Sequence, residues 1–348
     1  MMTSAYSLTS EDWKTILANQ GQSLGVLEYV LDGLYKNPGI WKKHLSPVLI
    51  ESLQSKFSFH LPKISHVHES EDGTFKFLMA FEDLLEVETV LIPFHKRYTV
   101  CLSTQVGCAM NCSFCYTGTQ GLKRNLKTSE IVGQYIVASQ FLKDKGISEV
   151  APSIVFMGQG EPLHNVEEVK KAVEVLNDRK TLGVGNRQMT LSTVGYLPGI
   201  SKLKSFPQIN FALSLHSPFE EERSKLIPMN QRFPLKEVLM SLDEIPLLKK
   251  QFITYEYLLI KNFNMSDAHA DELALLLSHR KAIINLIPFN PYPGSEWERP
   301  SILEVEEFKQ KLVAHRLRVM VRTTKGDDIL AACGQLKIKK LARNNGNS

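Results

Sequence analysis

The stretch TVCLSTQVGCAMNCSFCYTGTQG, Thr99 to Gly121, begins like a β-strand and turns into a cysteine loop. It holds Cys101, Cys108, Cys112 and Cys115, four of the chain's five cysteines, while the fifth, Cys333, lies far downstream. Cys108, Cys112 and Cys115 form C-x3-C-x2-C, three thiols close enough in sequence to wrap one metal centre. A structural zinc site needs four protein ligands, usually from two separated C-x2-C knuckles. No second knuckle is present. The residues alone leave two readings open. One is a zinc site with Cys101 as fourth ligand. The other is an iron–sulfur cluster held by three thiolates, with one iron left open to bind a ligand.

Outward from this loop, short β-branched runs alternate with amphipathic ones. Strands are predicted at 99–104, 153–158, 189–193, 209–215, 254–260 and 282–289, and helices at 129–143, 165–177, 234–245 and 266–277. Alternation sustained over six units predicts a parallel sheet with crossover helices. A partial (β/α)6 TIM-like barrel fits better than a dinucleotide-binding sheet, because GQGEPL (158–163) has Leu163 where a third glycine belongs. In such a barrel the site forms at the C-terminal ends of the strands. The polar residues found there are the cysteine run, Gly158 to Pro162, Ser192 and Thr193, Ser214 to His216, and Pro288 to Pro291.

Before the barrel, the first fifty or so residues read as helical. Thr9-Ser10-Glu11-Asp12 makes a cap before Trp13, and Ser46 precedes Pro47 as a second N-terminus. Runs 75–81 and 86–93 suit a hairpin. His66 and His68 look like a metal pair, but with no third ligand nearby they are read as surface residues. The chain has 348 residues, net charge +4, 43% hydrophobic and 22% charged content, which describes an ordinary globular protein with a substantial core. Its longest apolar runs, such as LALLL (273–277), are far short of the ~20 residues a membrane span needs. The first residues lack the pattern of a signal peptide. Clustered thiols without an export signal point to metal or redox chemistry and a cytoplasmic address.

The C-x3-C-x2-C motif with Phe114 before its last cysteine, followed by MGQGEP (157–162), resembles the radical S-adenosylmethionine (SAM) superfamily. VETVLIP, RNLKTSEIVGQ, MTLSTVG, ALSLHSP, LIPMN, LIPFNPYPGS and RTTKGDDILAACGQL extend the likeness. Together they resemble the RlmN/Cfr family of 23S rRNA adenine methyltransferases over roughly residues 75 to 336. The resemblance implies a helical N-terminal accessory domain that binds RNA (1–74), a β-hairpin linker (75–96) and a radical SAM catalytic domain (97–348). It implies a [4Fe-4S] cluster on Cys108, Cys112 and Cys115, and two SAM molecules per turnover. Gly160, Glu161, Ser192, Ser214, Leu215, His216 and Asn290 match positions that bind SAM.

It further implies that Cys333 carries the transferred methyl group and that Cys101 resolves the product through a transient disulfide. Without the resemblance, Cys333 reads as a small buried hydrophobe beside Ala331 and Ala332, and Cys101 as core packing. The indirect route suits the target. Adenine C2 and C8 are electron-poor and do not attack a methyl sulfonium, whereas a thiolate does. The implied proton acceptor is Glu88, which the residues alone do not separate from Glu86. GEP (160–162) and IPFNPYPGS (287–295) resemble the RlmN branch, which acts on C2. The Cfr branch, which acts on C8, tends to have alanine after Gly-Glu. Gln159 and Tyr116 depart from the commonest pattern. The expected partners are 23S rRNA, with tRNA left open, and an electron donor such as a flavodoxin. A monomer is expected. Basic runs at 121–127, 316–326 and 337–343 are candidate phosphate contacts. The rival outside this class is a four-cysteine zinc protein that binds RNA.

Overall fold

The computed structural model describes residues 2–336 apart from 96 and 149, so the basic run 337–343 lies outside the described residues. At the N-terminus, β1 (Thr3–Ser4) pairs in parallel with β2 (Phe57–Ser58), and three helices lie between them. Helix α1 (Ser10–Ala18) starts at a capping box. The Thr9 N–H donates to the Asp12 carboxylate at 2.8 Å, and the Asp12 N–H donates to the Thr9 hydroxyl at 3.3 Å. Helix α2 (Leu24–Leu31) runs on as a π-helical turn over Asp32–Lys36. Helix α3 (Pro47–Lys56) begins with Pro47 in its first turn and Ser46 capping the Leu49 N–H. Trp13, Leu17, Val30, Leu34 and Leu53 from these helices join the main core.

The chain then enters the sheet. Strands β3 (Lys63–Glu69), β4 (Phe75–Ala80), β5 (Glu86–Phe94) and β6 (Arg97–Cys101) are antiparallel neighbours. After β6 comes the cysteine loop, its base pinned by a two-stranded ribbon, β7 (Gln105–Gly107) with β8 (Leu122–Asn125). The α/β alternation follows. It runs α4 (Thr128–Asp144), β9 (Ser153–Phe156), α5 (Val166–Asn177), β10 (Met189–Thr193), α6 (Leu197–Ile200) and β11 (Asn210–Ser214). It continues through α7 (Glu220–Leu226), α8 (Leu235–Asp243), β12 (Ile253–Leu259), α9 (Asp267–Leu277), β13 (Ala282–Pro288), α10 (Ile302–Ala314) and β14 (Val319–Val321). Strands β6, β9, β10, β11, β12 and β13 are parallel in that order, giving the six units of a partial (β/α) barrel. Among the described residues the sheet has ten strands and does not close, with β14 and β3 at its edges. No helix among the described residues is long and apolar enough to cross a membrane.

Three differences from the sequence reading have physical causes. Strand β6 ends at Cys101, not Thr104, because the chain there leaves the sheet. The N–H groups of Thr104 and Gln105 donate instead to the Gln159 carbonyl, at 2.8 and 3.2 Å. Strand β3 lies within the segment expected to be helical. It is an edge strand whose residues are mostly exposed on both faces, so it carries no alternation to detect. His66 and His68 sit on it as surface residues, their ring centres 4.4 Å apart. Strand β14 falls inside the basic run 316–326 and adds a seventh parallel strand.

One buried amide joins the outer helical layer to the strand ends. Gln134 of α4 accepts from the Thr89 hydroxyl (2.8 Å) and the Ser103 N–H (3.0 Å), and donates to the Ser103 carbonyl (3.0 Å). Gln134→Met keeps the volume and strips all three partners. It is expected to lower unfolding free energy by about 3 kcal/mol, since each orphaned buried group costs ~1–3 kcal/mol. A urea midpoint within error of wild type would contradict this.

Candidate active site

The cysteine loop is shaped by its backbone. The Cys108 N–H donates to Gly121 O and the Cys115 N–H to Cys112 O, both at 3.1 Å, and the Ser113 N–H reaches Leu226 O at 3.0 Å. Cys108, Cys112 and Cys115 line one cleft at the C-terminal ends of the parallel strands, with about 940 Å³ of empty space including its mouth. Burial raises all three thiol pKa values. Cys108 is pushed up to about 12, Cys112 well above its ordinary value, and Cys115 upward, with neighbouring cysteines adding repulsion. Without metal these thiols keep their protons at neutral pH, and metal loading expels them.

A single zinc would draw its sulfurs to about 3.8 Å apart, the tetrahedron edge for ~2.3 Å arms. Among the described residues, no three His, Cys, Asp or Glu side chains converge on one ion in this way. A cubane has irons at separate corners, each of which can take one of three thiolates spread around a cleft. Cys101 lies in an apolar cluster with Val90, Ala331 and Leu336, and it lines a cavity that Cys115 also reaches.

The cleft wall is built by the strand-end segments. Gly158, Gly160, Glu161, Ser192, Ser214 and His216 all line it. Gly160 has φ +101°, and a Cβ there would come within 2.6 Å of Gln105 Cβ, so the turn requires glycine. The Glu161 N–H donates to Gln105 Oε1 at 2.9 Å. The buried Glu161 carboxylate accepts the N–H groups of Leu163 (3.0 Å) and Val194 (2.9 Å). Burial still outweighs these bonds and raises its pKa to about 7, which makes the group a receptive partner for an ammonium. His216, at φ +61°, accepts the Leu258 N–H on Nδ1 at 3.1 Å. Burial, reinforced by Arg223, pulls its pKa down to about 3, so it is neutral with its proton on Nε2. Its ring meets Phe114 edge-on at 4.6 Å.

Two other expected residues lie elsewhere. The Leu215 side chain is buried in the main core, not on the cleft wall. Asn290 lines an adjoining cavity together with Cys101, Cys115, Arg322 and Cys333. There its amide donates to Cys333 O at 3.2 Å, while its Oδ1 accepts from Arg299 and Thr324. Cys333 lines both cavities, as do Cys115 and Arg322. The Cys333 segment is laced to the cysteine loop. The Tyr116 N–H donates to Gly334 O and the Thr117 hydroxyl to Leu336 O, each at 2.6 Å. Glu88 is buried, on the same face of β5 as Val90.

Arg223 and Glu256 were missed by the sequence reading. Arg223, fully buried on α7, donates to the carbonyls of Val194 (2.7 Å), Ser214 (2.9 Å) and Leu215 (3.1 Å) and to Asn230. It thereby locks the ends of β10 and β11 together. Burial lowers its pKa to about 10, which leaves it charged at neutral pH. Glu256 on β12 faces the cleft, and its carboxylate accepts from Asn285 at 2.6 Å. Arg223 sits in a charged run, EEERSK, that reads as a solvated helix face, so nothing local marks it as buried. Of the basic runs, 121–127 includes Arg124, which is committed to Asp83 (2.7 Å) and Glu130 (2.8 Å).

A family model described as the radical SAM superfamily matches residues 102–274. A dual-specificity RNA methyltransferase RlmN from Solidesulfovibrio magneticus is 38% identical, over 97% of this chain and 97% of its own length. The RlmN of Syntrophus aciditrophicus is 41% identical over 85% and 84% of the two chains. The chain belongs to the RlmN family of RNA methyltransferases. A crystal structure of a radical SAM methyltransferase from Sphaerobacter thermophilus superposes with a TM-score of 0.88 at 35% identity, covering 96% of this chain and 99% of that one. As a radical SAM enzyme, this RlmN-family protein uses an iron–sulfur cluster and SAM, for which the cleft has three thiols and a buried carboxylate.

Proposed function

We propose that the protein methylates C2 of an adenine in 23S rRNA by way of a methyl group carried on Cys333. The cluster, held by Cys108, Cys112 and Cys115, and two SAM molecules per turnover supply the methyl group and the radical that activates it. The chain's own groups do the rest. Gly160, Glu161, Ser192, Ser214, His216 and the Leu215 backbone hold SAM, and Asn290 steadies the Cys333 segment. Cys333 delivers its carbon to the ring, and Glu88 takes the ring proton. Cys101, as its thiolate, then attacks the Cys333 sulfur. The carbon–sulfur bond breaks with its electron pair left on the carbon, which takes a proton to become the methyl group of the released base, and a Cys101–Cys333 disulfide remains. A flavodoxin-type donor provides electrons, and a dithiol reductant reopens the disulfide.

The observation that supports this reading is the position of Cys333 on the shared wall of two cavities. One holds the three-thiol loop and the other holds Cys101. Residues 1–74 act as the RNA-binding accessory domain, 75–96 as the connector and 97–348 as the catalytic domain. The enzyme works as a cytoplasmic monomer, and tRNA is a second substrate. An adenine must be extruded to reach a buried sulfur, so RNA with an unpaired target is the substrate form.

The test starts from protein purified without oxygen, with iron and sulfide measured. About four irons per chain are expected, as a cubane requires. The protein is then incubated with unmodified rRNA or tRNA, SAM and a reductant. Nucleoside mass spectrometry should find 2-methyladenosine. A product that is only 8-methyladenosine, or one bound zinc with no iron, would refute the proposal.

A further inference from the structure

The sheet contains a buried ion pair of which the reaction as proposed uses only one member, Glu88. The Nζ of Lys76, on β4, lies 3.2 Å from Oε1 of Glu88 on β5. Both side chains are nearly inaccessible, at 9% and 2% exposure. The same ammonium donates to the Leu330 carbonyl at 3.2 Å. Leu330 has φ +51°, a left-handed conformation that a leucine adopts only when something holds it. Three residues later comes Cys333. The turn before β4 grips the same segment. The Ser70 hydroxyl donates to Asp328 at 2.6 Å, and the Gly326 N–H donates to Asp72 at 3.0 Å.

A buried carboxylate without a counter-charge takes up a proton, and a protonated Glu88 accepts nothing from a ring carbon. A buried lysine within contact distance keeps it ionised. A lysine in an apolar strand also costs desolvation energy, so the pair is weak evidence of a purely stabilising role. We propose that Lys76 is a positioning residue for the methyl transfer. It holds Glu88 as a carboxylate and ties it, through Leu330, to the segment that carries Cys333. In the step concerned, Glu88 gains the ring proton, Lys76 keeps all of its own, and no electron passes between them. This rests on the proposed roles of Glu88 and Cys333.

Single-turnover assays on the reconstituted enzyme test it. They follow three species: Cys333 with one methyl added, the covalent enzyme–RNA adduct, and free methylated RNA. Lys76→Met should methylate Cys333 at the normal rate, accumulate adduct, and release product about 30-fold more slowly, less than the ~10²–10⁴-fold a general base contributes, because Glu88 itself is still present. Lys76→Arg should restore most of the release rate, which a packing role would not predict. If Lys76→Met folds poorly, the double variant Lys76→Met/Glu88→Gln removes both charges of the pair together. In the Glu88→Gln background Lys76→Met should add no further slowing. Normal release by Lys76→Met, or full additivity in the double variant, overturns the inference. Normal release by Glu88→Gln alone would instead overturn the role given to Glu88.

Discussion

Cys333→Ala should leave no measurable RNA methylation, a loss of at least ~10³-fold, because the variant has no sulfur to carry the carbon. The fold should survive. Cys333 is only half-buried, and its segment is held by hydrogen bonds from the Asn290 amide, the Tyr116 N–H and the Thr117 hydroxyl to its main-chain carbonyls, which alanine preserves. Iron content should stay at the wild-type level, since the three loop cysteines are untouched. With isotopically labelled SAM, wild-type protein should acquire a labelled methyl group before RNA is added, and the variant should not. A variant that methylates RNA at even a tenth of the normal rate would mean that the methyl group travels by another path.

Cys101→Ala should separate bond formation from release. The methyl carbon still reaches the base, but nothing remains to attack the Cys333 sulfur, so protein and RNA stay covalently joined. A denaturing gel should show nearly stoichiometric adduct and about 10²-fold less free product. The environment of Cys101 adds a pH signature. Burial, with a smaller contribution from Cys333, pushes its pKa up to about 12. The thiolate is therefore scarce at pH 7 and grows about tenfold per pH unit up to that value. Where this step limits wild-type turnover, release should accelerate as pH rises, and Cys101→Ala should lose that acceleration. Free product at the wild-type rate would exclude Cys101 from the resolving step.

The barrel was legible because each of its six units has a local signature. Strands such as MTLST carry β-branched residues, and helices such as NVEEVKKAVEVLN carry an apolar stripe; both have boundaries within a residue or two of the prediction. The cleft wall was legible for a related reason. Gly160, Glu161, Ser192, Ser214 and His216 are polar or glycine residues at strand ends, where a buried sheet gives way to a mouth. What escaped notice depends on partners distant in sequence. Arg223 reads as one more charge in an acidic–basic helix until it meets three carbonyls from β10, β11 and their loops. Lys76 alternates with Phe75 and Phe77 and reads as the solvent face of a hairpin, but that face is covered by the segment from Gly326 to Leu336. Asn290 reads as a cofactor contact, and the sequence does not show that its hydrogen bonds also tie Cys333 to Arg299 and Thr324.

The segment of Ala332 to Leu336 emerges from the ribosome after every strand of the sheet. Until it does, the Tyr116 N–H and the Thr117 hydroxyl lack the Gly334 and Leu336 carbonyls they later engage. The direction of translation therefore leaves the three loop thiols open to an iron–sulfur donor first, and fastens the methyl-bearing strap over them last.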